Sequence, residues 1–161
     1  VNRPLRKRRG DNDAKIITEA ILASHRTQLK GLDKEMEKLA NKAAREVKKT
    51  INQQTETWEP LNEDYEAFKK RTGLDTRTLV ATKEYRDSIT VTKEDICRYR
   101  IGPPLKKKHS SGLPLWKLAK LLEYGNAEGN LPPRPHYRPV LERIKEELKA
   151  IVQKLKGKSR A

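Results

Sequence analysis

The stretch LKGLDKEMEKLANKAAREVKKTI, residues 29–51, decides how the rest of the chain is read. Its apolar positions Leu29, Leu32, Met36, Leu39, Ala43, Val47 and Ile51 recur every three or four residues, the spacing of one face of an α-helix. Moving outward, no proline interrupts the sequence from Lys15 to about Gln53, and Ile17 and Ile21 add apolar positions upstream. A helix starting at Ala14 behind an Asp13 cap is therefore expected. Gly31 kinks or splits it in this reading, since glycine costs about 1 kcal/mol inside a helix. So narrow a stripe has to lie on a sheet or another helix. It reads as the core face rather than a free-standing coiled coil, because the repeat is short.

Downstream, Thr57-Trp58-Glu59-Pro60-Leu61 breaks the pattern, and a short helix is expected from Asn62 through Arg71, ended by Gly73. The later part of Tyr85–Thr92 is β-branched and alternating, and Ile96 to Ile101 alternates as well. Lys93-Glu94-Asp95 between them suits a hairpin loop, which leaves Cys97 in a strand. Gly102 to Pro114 carries Lys106, Lys107, Lys108 and His109 with no acid, and reads as an exposed, poorly ordered basic loop. Leu115 to Glu123 supplies another amphipathic helix, with Trp116 near its edge, closed by Tyr124-Gly125. The connector Leu131-Pro132-Pro133-Arg134-Pro135-His136-Tyr137-Arg138-Pro139 must be extended, because each proline biases the residue before it away from helix. A last helix follows from about Pro139 to Leu155. The expected fold is α+β: a long N-terminal amphipathic helix and a C-terminal helix packed on a small antiparallel sheet. Residues 1–13 read as a flexible basic arm, 14–156 as a single domain and 157–161 as a disordered tail.

Composition bounds the function. The 161 residues carry 37 Lys plus Arg against 22 Asp plus Glu, and only 34% are apolar, so the core must be thin and neighbours are expected to complete it. The formal charge of +15 calls for a polyanionic or acidic environment. By thirds, residues 1–50 net +7, residues 51–100 net −1 and residues 101–161 net +9, which puts the positive excess at the two ends. A lone Cys97 makes no intramolecular disulfide, and no apolar run approaches the roughly 20 residues of a bilayer span. The basic start has no apolar segment after it and does not read as a secretory signal. A soluble chain, compatible with a reducing cytosol and without a membrane partner, is expected.

The inventory for chemistry is poor. His25, His109 and His136 lack metal-ligand partners at the required spacings, and the glycines are too scattered to cradle a phosphate. Cys97 has no histidine near it in sequence to act as its base. An enzyme would need a pocket combining His136 with Glu123 or Glu128. We expect no enzyme, no metal and no cofactor. The basic clusters Arg6, Lys7, Arg8, Arg9 and Lys106, Lys107, Lys108 suit DNA phosphate or acidic faces of partner proteins, or form a solvated surface; one Phe gives base stacking little support. A nucleic-acid-binding accessory protein is thus the alternative reading. In the connector, Pro-Pro-Arg-Pro either displays Arg134 and Arg138 rigidly to carboxylates on packed neighbours or merely spaces two helices.

Two stretches carry a resemblance. Trp58-Glu59-Pro60-Leu61, then Tyr65, Lys69, Thr78-Leu79-Val80 and Tyr85-Arg86-Asp87-Ser88-Ile89, are similar to the W-x-P-L … L-x-x-T-G-x-L-x-x-S-I region of phage virion-morphogenesis and tail-completion proteins. Leu122-Glu123-Tyr124-Gly125 and the stretch from Leu131 to Leu141 resemble the E-F-G-T … I-P-A-R-P-F-L-R-P-A-L signature of that family. The chain departs from the pattern at Lys83, where glycine is usual, at Tyr85 for leucine, and at His136-Tyr137 for Phe-Leu. The resemblance implies a small structural subunit of the neck or tail end of a virion, assembled in the host cytoplasm. It also implies a ring, usually a hexamer, joining the tail tube to the head connector, with DNA in the channel as a further contact. Trp58, Tyr124, Pro133, Arg134, Pro135, Tyr137 and Arg138 are then the expected subunit-interface residues.

Overall fold

A computed structural model describes residues 9–158 apart from 55 and 81, with side chains described from 19 to 154. The long stripe forms α1 (Arg9–Gln53), one unbroken helix of 45 residues. Gly31 does not split it: the position is exposed helix, and a Cβ there would meet nothing within 4 Å. The helix starts at Arg9, five residues before the expected Ala14, so residues 9–13 of the expected arm are helical, while residues 1–8 lie outside the described residues.

The second half of α1 is the spine. Leu39, Ala43, Val47 and Ile51 lie in the core with Val80, Tyr85, Ile89, Leu115, Val140 and Ile144. The first half is different: every residue from 19 to 31 is exposed, about 20 Å of helix, with Ile21, Leu22 and Leu29 each about half bare. α5 (Arg138–Lys158) runs antiparallel beside the spine, as the Lys42–Glu147 ion pair at 2.6 Å and the Arg143–Thr50 hydrogen bond at 3.3 Å show. It extends through Lys158 and so includes the first two residues of the expected tail; residues 159–161 lie outside the described residues.

Between these helices come α2 (Glu63–Arg71), α3 (Glu84–Ser88), β1 (Thr90–Asp95), β2 (Arg98–Gly102) and α4 (Leu115–Tyr124). Asn62 caps α2 by accepting from the Asp64 N–H at 2.9 Å, and acids in its first turn and bases in its last complement the helix dipole. The two strands form an antiparallel hairpin that packs on α1. Its turn is Ile96-Cys97, just beyond the expected Lys93–Asp95 loop, and Cys97 adopts a positive φ of 56° there instead of sitting in a strand. The cause is tertiary. Asp33 on α1 accepts the Cys97 N–H at 2.8 Å and the Tyr99 hydroxyl at 2.9 Å, and it pairs with Lys93. These contacts hold the Asp33 carboxyl down at a pKa of about 2, the Lys93 hydrogen bond contributing most. Among the described residues no helix is long and apolar enough to cross a membrane.

Candidate functional site

The end of α4 and the start of α5 are joined by residues 125–137, a strap that folds back on the helix it leaves. Glu123, 5% exposed in the last turn of α4, accepts the N–H groups of His136 at 2.8 Å, Tyr137 at 3.0 Å and Arg138 at 3.0 Å. A helix leaves its first N–H groups without intrahelical partners and bears positive potential at that end, so a carboxylate from the previous helix serves as the cap of α5. The strap reaches it through a tight reversal. Gly125 sits at φ 74°, and a Cβ there would lie 2.7 Å from the Leu131 carbonyl oxygen and 2.8 Å from the Pro133 nitrogen. Asn126 and Leu131 then exchange two backbone hydrogen bonds, and the Arg134 N–H donates to the Leu122 carbonyl at 2.7 Å. Trp58 pins the far side by donating its indole N–H to the Pro135 carbonyl at 2.9 Å. The Trp58 motif, the Glu-Tyr-Gly motif and the proline strap thus meet in one structure.

Inside it, His136 is fully buried. Its Nδ1 lies 2.7 Å from the Arg134 carbonyl oxygen, which can only accept, so Nδ1 carries the proton and Nε2 accepts from the Tyr85 hydroxyl. The Tyr137 hydroxyl lies 3.4 Å from that of Tyr85. Burial lowers the His136 pKa, raises that of Tyr85 far above its usual value and pushes that of Tyr137 up to about 12. His136 and Glu123 do come together, with Nδ1 and Oε2 3.3 Å apart. Their polar atoms are occupied in holding the strap, and a phenol this hard to ionise is a poor nucleophile. The pair is a structural lock.

The expected interface residues divide. Arg134 is 6% exposed in this chain, so it is not displayed at the surface as expected: its backbone N–H bonds to α4 and its side chain is buried behind the strap. Trp58, Pro135 and Tyr137 are half-buried, Trp58 and Tyr137 against the core cluster. Tyr124, Pro133 and Arg138 remain on the surface, Tyr124 64% exposed with the Arg138 guanidinium 5.4 Å from its ring centroid. Beside them lie exposed apolar residues outside the expected interface set: Leu105, Trp116 and Leu141. Trp116, Lys120 and Tyr124 follow one another at intervals of four along α4 and share its outer face, a spacing from which the ridge is readable.

Lys106, Lys107 and Lys108 are exposed, but their segment is ordered rather than loose. Backbone bonds from Leu115 N–H to the Lys107 carbonyl at 3.0 Å, His109 N–H to the Leu113 carbonyl at 2.8 Å and Gly112 N–H to the His109 carbonyl at 2.8 Å close it into a compact turn. Arg6, Lys7 and Arg8 lie outside the described residues; Arg9 opens α1, its side chain outside them as well. Among the described residues no group of three His, Cys, Asp or Glu side chains is placed to hold a metal ion.

The chain is 26% identical over 98 residues to the protein named "Uncharacterized protein MJ0331" of the archaeon Methanocaldococcus jannaschii, covering 61% of this chain and 67% of that one. No solved structure matches. The family model described as "Bacteriophage HK97-gp10, putative tail-component" matches residues 21–125, well over half of the chain, from the exposed part of α1 to the glycine that starts the strap. By that match, this α+β chain belongs to the HK97-gp10 family of phage tail components.

Proposed function

We propose that the protein is a structural subunit of the phage neck or tail end that forms a ring with copies of itself and joins the tail tube to the head connector. The observation that carries this reading is the bare first half of α1. Residues 19–31 are all exposed, and Ile21, Leu22 and Leu29 are only half covered. Apolar side chains left in water on a helix face are unfavourable, so this face suits burial against a neighbour. A ring of identical subunits supplies one, and the ridge of Trp116 and Tyr124 with Pro133 and Arg138 offers a second contact. The hexamer and the adjacent tail-tube and connector proteins belong to this proposal.

Mass measurement in solution tests it. The chain is expected to run as a ring-sized multiple of its 18.6 kDa protomer, and Ile21→Ser with Leu22→Ser and Leu29→Ser to fall to monomer while keeping its helical circular dichroism. A wild-type chain that stays monomeric at high micromolar concentration and is absent from purified virions overturns the proposal.

A further inference from the structure

A cavity of about 550 Å3 lies between α2, α4, the strap and the segment around Leu79, within the range of sites that take small ligands. Leu61, Leu74, Leu79, Leu118 and Leu122 supply much of its wall. Exposed Tyr65, Thr82 and Ser111 mark its mouth. Two cations are buried in this apolar wall. Lys69 is 2% exposed, donates one N–H to the Arg77 carbonyl at 2.9 Å, and its ammonium lies 5.3 Å from the centroid of the Tyr65 ring, which also lines the cavity. Arg134 is 6% exposed, and its Nε is buried without a hydrogen-bond partner.

No carboxylate lines the cavity among the described residues. The acids that act on these two cations stand outside the cavity: Asp75 is paired with Arg77 at 2.5 Å, and Glu59 is exposed to solvent. Burying a charged group without a partner is costly, and an unmatched guanidinium offers the planar fork that fits a carboxylate. We propose that this cavity binds a carboxylate carried on an apolar stem, the carboxylate between Arg134 and Lys69 and the stem among the leucines. A free alkanoic acid and the carboxyl end of an apolar polypeptide share this chemistry. The site stands independently of the ring proposal, since all its walls come from one subunit.

Titration calorimetry with two matched pairs of probes tests it on the full chain: decanoate against decanol, and acetyl-trileucine with a free carboxyl against the same peptide amidated. At least one acid is expected to bind ten times more tightly than its neutral twin, and the pair that discriminates identifies the source. Lys69→Met and Arg134→Met are each expected to abolish that preference while leaving the neutral twin's affinity in place. The comparison within wild type stands even if Arg134→Met folds poorly. Equal affinity of acid and neutral twin in both pairs, or no measurable binding of any probe, overturns the assignment.

Discussion

Lys83 stands at φ 64° immediately before α3, in the left-handed region that costs an ordinary residue about 1–2 kcal/mol. It is also a position where the resembled pattern carries glycine. Part of that strain is offset by the lower chain entropy of lysine in the unfolded state, so Lys83→Gly is expected to stabilise by about 0.5–1 kcal/mol. Thermal unfolding should show a rise of about 2–4 °C per kcal/mol; a fall would show that the lysine side chain matters more than its backbone. The other departures form a set. Tyr85 stands for leucine and His136-Tyr137 for Phe-Leu, and these three side chains hydrogen-bond or stack on one another. A buried polar network is stable only when complete. Tyr85→Phe, which strands the His136 Nε2, is expected to cost about 1–3 kcal/mol, and Tyr85→Leu with His136→Phe less than the sum of the single changes. Because burial lowers the folded His136 pKa, the stability it contributes is present above its unfolded value near 6.5 and is lost as pH falls below it. Unfolding midpoints measured between pH 7.5 and 5 should decline in wild type and flatten in the double variant.

At the scale of elements, the long helix, the short helix after Trp58, the hairpin and the final helix are legible in the sequence because periodicity and capping are local signals. The hairpin turn is not. Ile96-Cys97 contains none of the usual turn residues, and its shape is imposed by Asp33, which lies on α1 far upstream. For the same reason the capping of α5 by Glu123 escapes a local reading, since nothing near Arg138 announces that its partner lies at the end of the previous helix. The inward turn of Arg134 escapes it too, because proline fixes the path of the strap but not the side that faces the protein. Asp33 makes the hairpin contact testable. Its folded pKa of about 2 lies below the ordinary 3.8, so the contribution of the contact is intact above about pH 4 and disappears as pH falls toward 2. Asp33→Asn should remove that acid dependence and speed hydrogen exchange at the Cys97 amide, leaving the Val47–Ile144 core unaffected; an unchanged exchange rate would mean that the turn holds itself.

For the whole molecule, the charge of +15 is distributed so that Lys106, Lys107 and Lys108 stand exposed on an ordered turn, none of them in an ion pair among the described residues. If these lysines face DNA in the assembled virion, the isolated chain should bind duplex DNA without sequence preference, with affinity falling steeply between about 50 and 200 mM salt. Changing all three to alanine should reduce the slope of log affinity against log salt by about 0.9 for each phosphate no longer neutralised. A slope that does not change rules out phosphate contact by this turn. Finally, the three amides gripped by one carboxylate tie the end of α4 to the start of α5. Whatever pushes on Tyr124 from outside must carry Arg138 with it, and through Val140 and Ile144 it leans on the spine. The exterior and the long rod are therefore geared together, so that a partner pressing on the one would bear on the other.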